Sequence, residues 1–444
     1  MQEEKDAKES TWLSSIEGKT VSRREFLQYA GLAGVVVVGG GLGGFVAACG
    51  GGTSSTAASG SAGAGQGEPY RLGMVSDLTG ALAAAGADVR DGVLVLIDKY
   101  NAAGGCKGPD GKMHKWELLV EDGGVDAGRA TAAFNKLIMN DKVTGVMGPL
   151  WSNEVPSAQA IVERNQLPGL LSSTPQPATM DKGYKWSFMM GPAPSLKAQG
   201  AVAIMLVEGF KSVVAIADNE GVMQGGMRLV PDYLPKDGNI KYTIIDDTFT
   251  VGDVNLNSQA LKVKAKADEV GADAIFLVTD GISAIPLIKT YHKLGGSLPF
   301  IGNTAWSNDA IIKAGGADYE GALVPGNASL APDQLPDTFP LKAISTQFAT
   351  EFKAKYNRPP SSFAANTYTS MMMWQEAFGA VGPDKQKLLD YLDSMTDFVG
   401  PSGIYNWKET HNGQSVEDEV IFQIKDGSWL ALAYIDKDGK PVKV

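Results

Sequence analysis

Two periodicities alternate along the chain from residue 70 onward. Short apolar runs are followed by longer stretches in which apolar side chains return every three or four residues. Residues 70–75 read as a strand, and Asp77-Leu78-Thr79-Gly80 as the turn after it. Val89, Val93, Leu96, Ile97 and Tyr100 then recur at helical spacing until Gly104-Gly105 stops the helix. Residues 116–120 predict a second strand. Asp126 is placed to cap a helix whose Ala130, Ala133, Phe134, Leu137 and Ile138 share one face, and 143–147 predict a third strand. A second series follows Pro192 and Pro194. Its strands are predicted at 213–217, 242–245, 274–278 and 300–301, and its helices at 258–270 and 283–294. Strands alternating with helices imply parallel sheets covered on both faces, and two such series imply an α/β chain with two doubly wound lobes.

Ligands of this architecture sit beyond the carboxyl ends of the strands. That rule nominates Ser76-Asp77, Leu150-Trp151-Ser152, Ser172-Ser173-Thr174, Asp218-Asn219, Thr279-Asp280 and Asn303-Thr304. Most carry a hydroxyl, amide or carboxylate suited to fixing a small polar head. Taken singly, each also suits a turn or a helix cap.

The first 68 residues follow neither periodicity. Arg23-Arg24-Glu25-Phe26-Leu27 precedes an uncharged, glycine-rich apolar run ending in Val46-Ala47-Ala48-Cys49. A charged segment, an apolar segment and small residues in that order describe an export signal. The paired arginines resemble the twin-arginine signal, and Val-Ala-Ala-Cys resembles a bacterial lipobox, in which the cysteine is lipidated. Residues 1–48 are therefore expected to be a signal peptide that directs the chain to the extracytoplasmic face of a bacterial membrane. Residues 49–68, almost all Gly, Ser, Ala and Thr, are expected to be the lipidated Cys49 and a flexible tether.

Composition narrows the rest. The 444 residues are too many for one ordinary core, and 44% hydrophobic content is enough to build two. A net charge of -11 argues against nucleic acid. With Cys49 committed to lipid, Cys106 is left as an unpaired thiol. The three histidines, His114, His292 and His411, show no metal spacing, so neither metal nor cofactor is expected. Their scatter also argues against a nucleophile–base pair and hence against an enzyme.

Leu78-Thr79-Gly80, Asn101-Ala102-Ala103-Gly104-Gly105, Glu121-Asp122 and Gly148-Pro149-Leu150-Trp151-Ser152 follow one another in an order that resembles the type I periplasmic binding proteins of the branched-chain amino acid group. Phe348, Phe352, Tyr356, Pro359 and Tyr368 resemble that family's later helix pair. The resemblance covers about residues 70–444. It implies three crossings between lobes, placed near 191–195, 321–328 and 399–404. Lobe 1 then comprises 69–192 plus 328–398, and lobe 2 comprises 193–327 plus 399–444. It also implies a solute receptor for an ABC permease and its ATPase, with a sensory receptor for an amide or aromatic acid as the alternative. Ser152 matches the family serine that holds a ligand carboxylate. Leu150, Trp151, Ser173, Thr174, Asp218, Asp280 and Asn303 complete the expected site. Several positions depart from the family. Pro175 follows Ser173-Thr174 and lacks an N–H. Ala85 and Val222 stand where aromatic residues are usual. The acid that pairs a ligand ammonium aligns near Ser283, with Asp280 as the nearest substitute and Trp151 and Trp306 as candidate aromatic surface.

Overall fold

The computed structural model describes residues 65–444 apart from 81, 177, 178, 180, 181, 409 and 415–418. Arg23, Arg24, the apolar run and Cys49 lie outside the described residues. The tether was expected to run to residue 68. Instead Met113 donates its N–H to the Gly65 carbonyl (3.0 Å) and Gly67 donates to the Met113 carbonyl (2.9 Å), so ordered pairing begins earlier.

The first lobe opens with β1 (Tyr70–Ser76), α1 (Ala83–Ala102) and a short hairpin, β2 (Cys106–Lys107) and β3 (Met113–His114). It continues through β4 (Trp116–Asp122), α2 (Ala127–Asn135), β5 (Gly145–Met147), α3 (Val155–Arg164), β6 (Gly169–Leu171) and β7 (Ser187–Met189). The main sheet has the order β4-β1-β5-β6-β7, with every pair parallel. Local chemistry explains the element ends. Asp126 caps α2 by accepting from the Arg129 N–H (2.7 Å). The face formed by Ala130, Ala133 and Phe134 is buried, and Leu137 and Ile138 extend it through one wider π-type turn.

The second lobe runs through α4 (Pro194–Glu208), β8 (Ser212–Ala217), α5 (Gly221–Tyr233), β9 (Lys241–Ile244) and α6 (Asn257–Val270). It continues through β10 (Ala274–Val278), α7 (Gly281–Lys293), β11 (Phe300–Ile301), α8 (Asp309–Gly315) and β12 (Leu323–Asn327). The chain then returns to the first lobe with α9 (Lys342–Tyr356), α10 (Ser362–Val381), α11 (Lys385–Asp393), β13 (Phe398–Gly400) and β14 (Gly403–Tyr405). It ends in the second lobe with β15 (Glu419–Lys425), β16 (Ser428–Ile435) and β17 (Pro441–Lys443). The second sheet has the order β17-β16-β15-β12-β11-β10-β8-β9.

The central strands β8 and β10 are apolar on both faces because both faces are covered. Val214, Ile216, Ile275 and Leu277 point into one core, whereas Val213, Ala215, Ala274 and Phe276 point into the other. Each large side chain buried in this way contributes about 1.5–3 kcal/mol. The three last strands are antiparallel additions that the reading of alternating strands and helices did not include. Their Asp426-Gly427 turn joins two apolar runs and is a hairpin signal.

The lobe boundaries differ from the expected ones at two crossings. Ala331, Leu335, Phe339 and Leu341 pack in the second lobe's core, whereas Phe348 and Phe352 pack in the first. The second crossing therefore falls near 341–348, not 321–328. Tyr405 and Trp407 belong to the first core, and Glu419 begins a strand of the second sheet, so the third crossing falls after 407, not at 399–404. The first passes through 191–194, between β7 and α4. The first and third crossings touch: a Cβ on Gly413, whose φ is +100°, would lie 2.5 Å from the Gly191 carbonyl oxygen.

Candidate functional site

The carboxyl ends of β5 and β6 face the second lobe across a cleft. Between the lobes lies a cavity of about 70 Å³ open to the centre of a water molecule. That is well above the roughly 10–15 Å³ needed to admit one water, so the cavity has room for a small polar head group. The turn after β5 delivers Leu150, Trp151 and Ser152 to this cavity. Gly148 makes the turn possible, because a Cβ there would lie 1.9 Å from the Val75 carbonyl oxygen and its φ is +78°. Ser172, Ser173 and Thr174 arrive from the end of β6, and Ser362, Phe363 and Asn366 from the start of α10.

The opposite wall comes from the second lobe. Lys197 of α4, Glu220 and Met223 at the start of α5, Thr304, Ala305 and Glu419 line it. Glu419 starts β15 and is registered against Asn327, the last residue of β12. Antiparallel pairing thus puts the amino end of one strand beside the carboxyl end of its neighbour. Polar contacts already join the lobes. The Ser362 N–H donates to the Ser307 carbonyl (3.1 Å), and the Asn327 side-chain amide donates to the Ser362 carbonyl (3.5 Å).

Five buried polar atoms around this one cavity have no hydrogen-bond partner among the described residues. They are Trp151 Nε1, Ser172 Oγ, Ser362 Oγ and both carboxylate oxygens of Glu419. Buried polar groups are normally paired, so this concentration marks a place where something else completes the bonding. The ionisable groups respond to the same environment. Burial lowers the Lys197 ammonium to about 8 against the opposing pull of Glu419, Glu220 and Asp218. Burial raises the Glu419 carboxyl to about 8, with Lys197 pulling it back. Glu220 is raised by burial and by Asp280, and lowered by Lys197 and the Ser152 hydroxyl.

A second chamber of about 100 Å³ adjoins the first behind Trp151, Ala305 and Phe363. Leu82, Ala85, Ile282 and Ile311 make its wall largely apolar.

Of the predicted residues, Leu150, Trp151, Ser152, Ser173 and Thr174 come together at the polar cavity. Asp218, Asp280 and Asn303 do not line it; they organise turns. Asp218 Oδ1 accepts from the Glu220 N–H (2.9 Å). Asp280 Oδ1 caps α7 by accepting from Ile282 and Ser283 (2.9 and 3.0 Å), while its Oδ2 has no partner among the described residues and the residue lines the apolar chamber. Asn303 accepts from the Ala305 N–H (2.9 Å) and donates to the Thr279 carbonyl (2.8 Å). Trp306 is core: its Nε1 donates to the same carbonyl (2.9 Å) and its ring packs on Tyr319. Cys106 is a free, buried thiol that burial holds at about 11. Sequence reasoning missed Lys197, Glu220, Asn366, Gln414 and Glu419, none of which ends a predicted strand.

The model of the periplasmic binding protein family matches residues 69–428. A leucine-, isoleucine-, valine-, threonine- and alanine-binding protein of Pseudomonas aeruginosa is 24% identical over 364 residues, 81% of this chain and 91% of its own. A Leu/Ile/Val-binding protein of Rhizobium johnstonii is 24% identical over 304 residues, 68% of this chain and 76% of its own. The fold is shared with the branched-chain amino acid transporter substrate-binding protein LivJ of Streptococcus pneumoniae, solved in complex with isoleucine. That comparison has a TM-score of 0.70, 22% identity, and coverage of 85% of this chain and 100% of the other. An extracellular ligand-binding receptor of Rhodopseudomonas palustris superposes with a TM-score of 0.70 at 20% identity, covering 82% and 99%. With two doubly wound lobes, a polar cavity between them and a family match over most of its length, the chain belongs to the periplasmic binding protein family, type I, in the branched-chain amino acid group.

Proposed function

We propose that this protein captures an amino acid, or a related small carboxylate or amide, and hands it to an ABC permease with its ATPase. One observation carries the solute reading: five unpartnered buried polar atoms, contributed by both lobes, surround a single cavity. A small polar molecule held between the lobes satisfies such a set, and closure of the lobes is what buries it. The apolar chamber next to the polar one suits an aliphatic side chain. The names of the two curated relatives support the amino acid class. The order Arg23-Arg24, apolar run, Ala-Ala-Cys49 supports export by the twin-arginine route and a lipid anchor on Cys49.

The test is a thermal-shift screen of the exported domain with L-leucine, L-alanine, L-threonine, propionamide and benzoate. A bound solute stabilises the folded form by RT ln(1 + [L]/Kd), about 2.7 kcal/mol at a hundredfold excess over Kd. At least one compound is expected to raise the melting temperature in proportion to log concentration. No shift with any compound up to millimolar concentration counts against the solute reading.

A further inference from the structure

We infer that a pocket on the flank of the first lobe, outside the cleft, is a second binding site, and that it takes a neutral sugar or polyol. The inference is independent of the solute reading above.

The pocket offers about 310 Å³ open to the centre of a water molecule, against about 70 Å³ for the cleft cavity. That lies at the low end of the roughly 300–1,000 Å³ usual for small-ligand pockets, and far above what a bridging water needs. Topology builds it at one edge of the first sheet. β7 is the last strand in the order, and the chain leading into the third crossing lies along it. Met189 donates its N–H to the His411 carbonyl (2.8 Å) and bridges in parallel to Asn412. That segment, the start of β7, one face of α3 and Asp393 at the end of α11 surround the space.

Two buried polar atoms on this wall lack a partner. Gln159 is 5% exposed and Trp407 is 1% exposed. The Gln159 amide donates to the Ser187 hydroxyl (3.2 Å), but its Oε1 accepts from nothing among the described residues, and Trp407 Nε1 donates to nothing among them. Neither atom is orphaned by loose packing. The Trp407 ring lies against Phe188 (4.6 Å between centroids), and its backbone N–H donates to the Met395 carbonyl (3.0 Å). Buried polar groups are normally paired, so an orphan acceptor and an orphan donor beside one pocket point to an occupant that supplies both partners. A hydroxyl donates and accepts, and is the common ligand group that answers both. A half-turn of the Gln159 amide would exchange its orphan acceptor for an orphan donor, and a hydroxyl would answer that as well.

The rest of the wall asks for no net charge. Its one described carboxylate, Asp393, already faces His411 at 2.6 Å, so an ammonium finds no free acid. A carboxylate would rest on Lys408, which is exposed, and a pair at that position is weak in water. Thr179 and Thr410 add hydroxyls to the same wall. The Thr179 hydroxyl donates to the Gln176 carbonyl (3.2 Å) and keeps its lone pairs for a further donor. Several neutral donors and acceptors spread over one pocket match a molecule with several hydroxyls.

The experiment is calorimetry on the full chain with D-glucose, myo-inositol and D-mannitol, and with acetate as the anionic comparison. Wild type is expected to bind at least one of the three polyols with a Kd of millimolar order or tighter, and acetate at least tenfold more weakly. Gln159→Leu and Trp407→Phe are each expected to weaken the polyol about three- to tenfold, the loss of one neutral hydrogen bond. Thr410→Trp puts a large side chain at an exposed lining position and is expected to abolish binding. It decides the question if the two buried variants do not fold. Binding of none of the three polyols overturns the inference and leaves water as the pocket's occupant. Polyol binding that survives Thr410→Trp also overturns it, and its loss in Ser152→Ala would then place the polyol in the cleft. Acetate bound as tightly as the polyols overturns the neutral ligand class.

Discussion

Replacing Glu154 with glutamine is expected to flatten the dependence of stability on pH. Glu154 follows β5 and Asp77 follows β1, its sheet neighbour, and both are fully buried (0% exposed). Asp77 Oδ1 accepts from the Val125 N–H (2.6 Å), while Asp77 Oδ2 and both Glu154 oxygens have no donor at normal geometry among the described residues. Two carboxylates in that position need a proton between them. Burial raises the Glu154 carboxyl well above the usual range, and the Asp77 charge raises it further. The unfolded chain releases this proton near pH 4.5, whereas the folded chain keeps it to a much higher pH. Between those limits the folded state binds the extra proton. The stabilisation is complete below the unfolded value and is lost as pH rises, by about 1.4 kcal/mol per pH unit. Glu419, raised to about 8, and Asp218, raised to about 7, act with the same sign, whereas Lys197 opposes them only above about 8. From pH 5 to 7 wild-type stability is therefore expected to fall, and Glu154→Gln to lose about 2.7 kcal/mol less than wild type over that interval. Guanidinium unfolding at pH 5, 6 and 7, followed by tryptophan fluorescence, measures both slopes. A variant with the wild-type slope, or a wild type that gains stability over this interval, would refute the reasoning.

Four further outcomes follow from the same geometry and from the proposed export signal. Ser152→Ala removes the donor at the end of the β5 turn. It is expected to weaken L-leucine about ten- to hundredfold in calorimetry, while the unliganded melting temperature stays nearly unchanged because Ser152 is only half-buried. Gly148→Ala places a methyl group 1.9 Å from the Val75 carbonyl oxygen. A loss of about 3 kcal/mol or more in unfolding free energy, read by denaturant titration, is expected, since both overpacking and a positive φ oppose the change. Cys49→Ala should move the protein from the membrane fraction to the soluble one, and fatty-acid labelling that persists in this variant would contradict a lipid on Cys49. Arg23→Lys together with Arg24→Lys keeps the charge and should leave precursor in the cytoplasm, whereas normal export would point to another route.

The parts of this molecule that were legible in its sequence are those governed by local rules. Val89, Val93, Leu96 and Ile97 announce a helix face by spacing alone, Asp126 announces a cap, and residues 274–278 announce a doubly covered strand, all as found. The cleft was half legible for a physical reason. The rule that ligands sit beyond strand carboxyl ends named Ser152, Ser173 and Thr174, which line the polar cavity. It also named Asp218, Asp280 and Asn303, which do not line that cavity, because a carboxylate or amide at a strand end is equally well placed to satisfy the first N–H groups of the next helix or turn. Glu419 escaped the rule altogether. It opens a strand instead of closing one, and it reaches the cleft only because β15 runs antiparallel to β12, so that Glu419 stands opposite Asn327. Lys197 lies in the apolar helix α4, where a lone lysine reads as solvent-facing, although it is 2% exposed. The signal for both residues lies one level above the motif. Once the Asp426-Gly427 hairpin is recognised and added to the parallel sheet, its first residue must share an edge with the carboxyl end of β12. A charged side chain at that edge, together with a lysine from the helix that covers the sheet, then stands in the wall of the cleft.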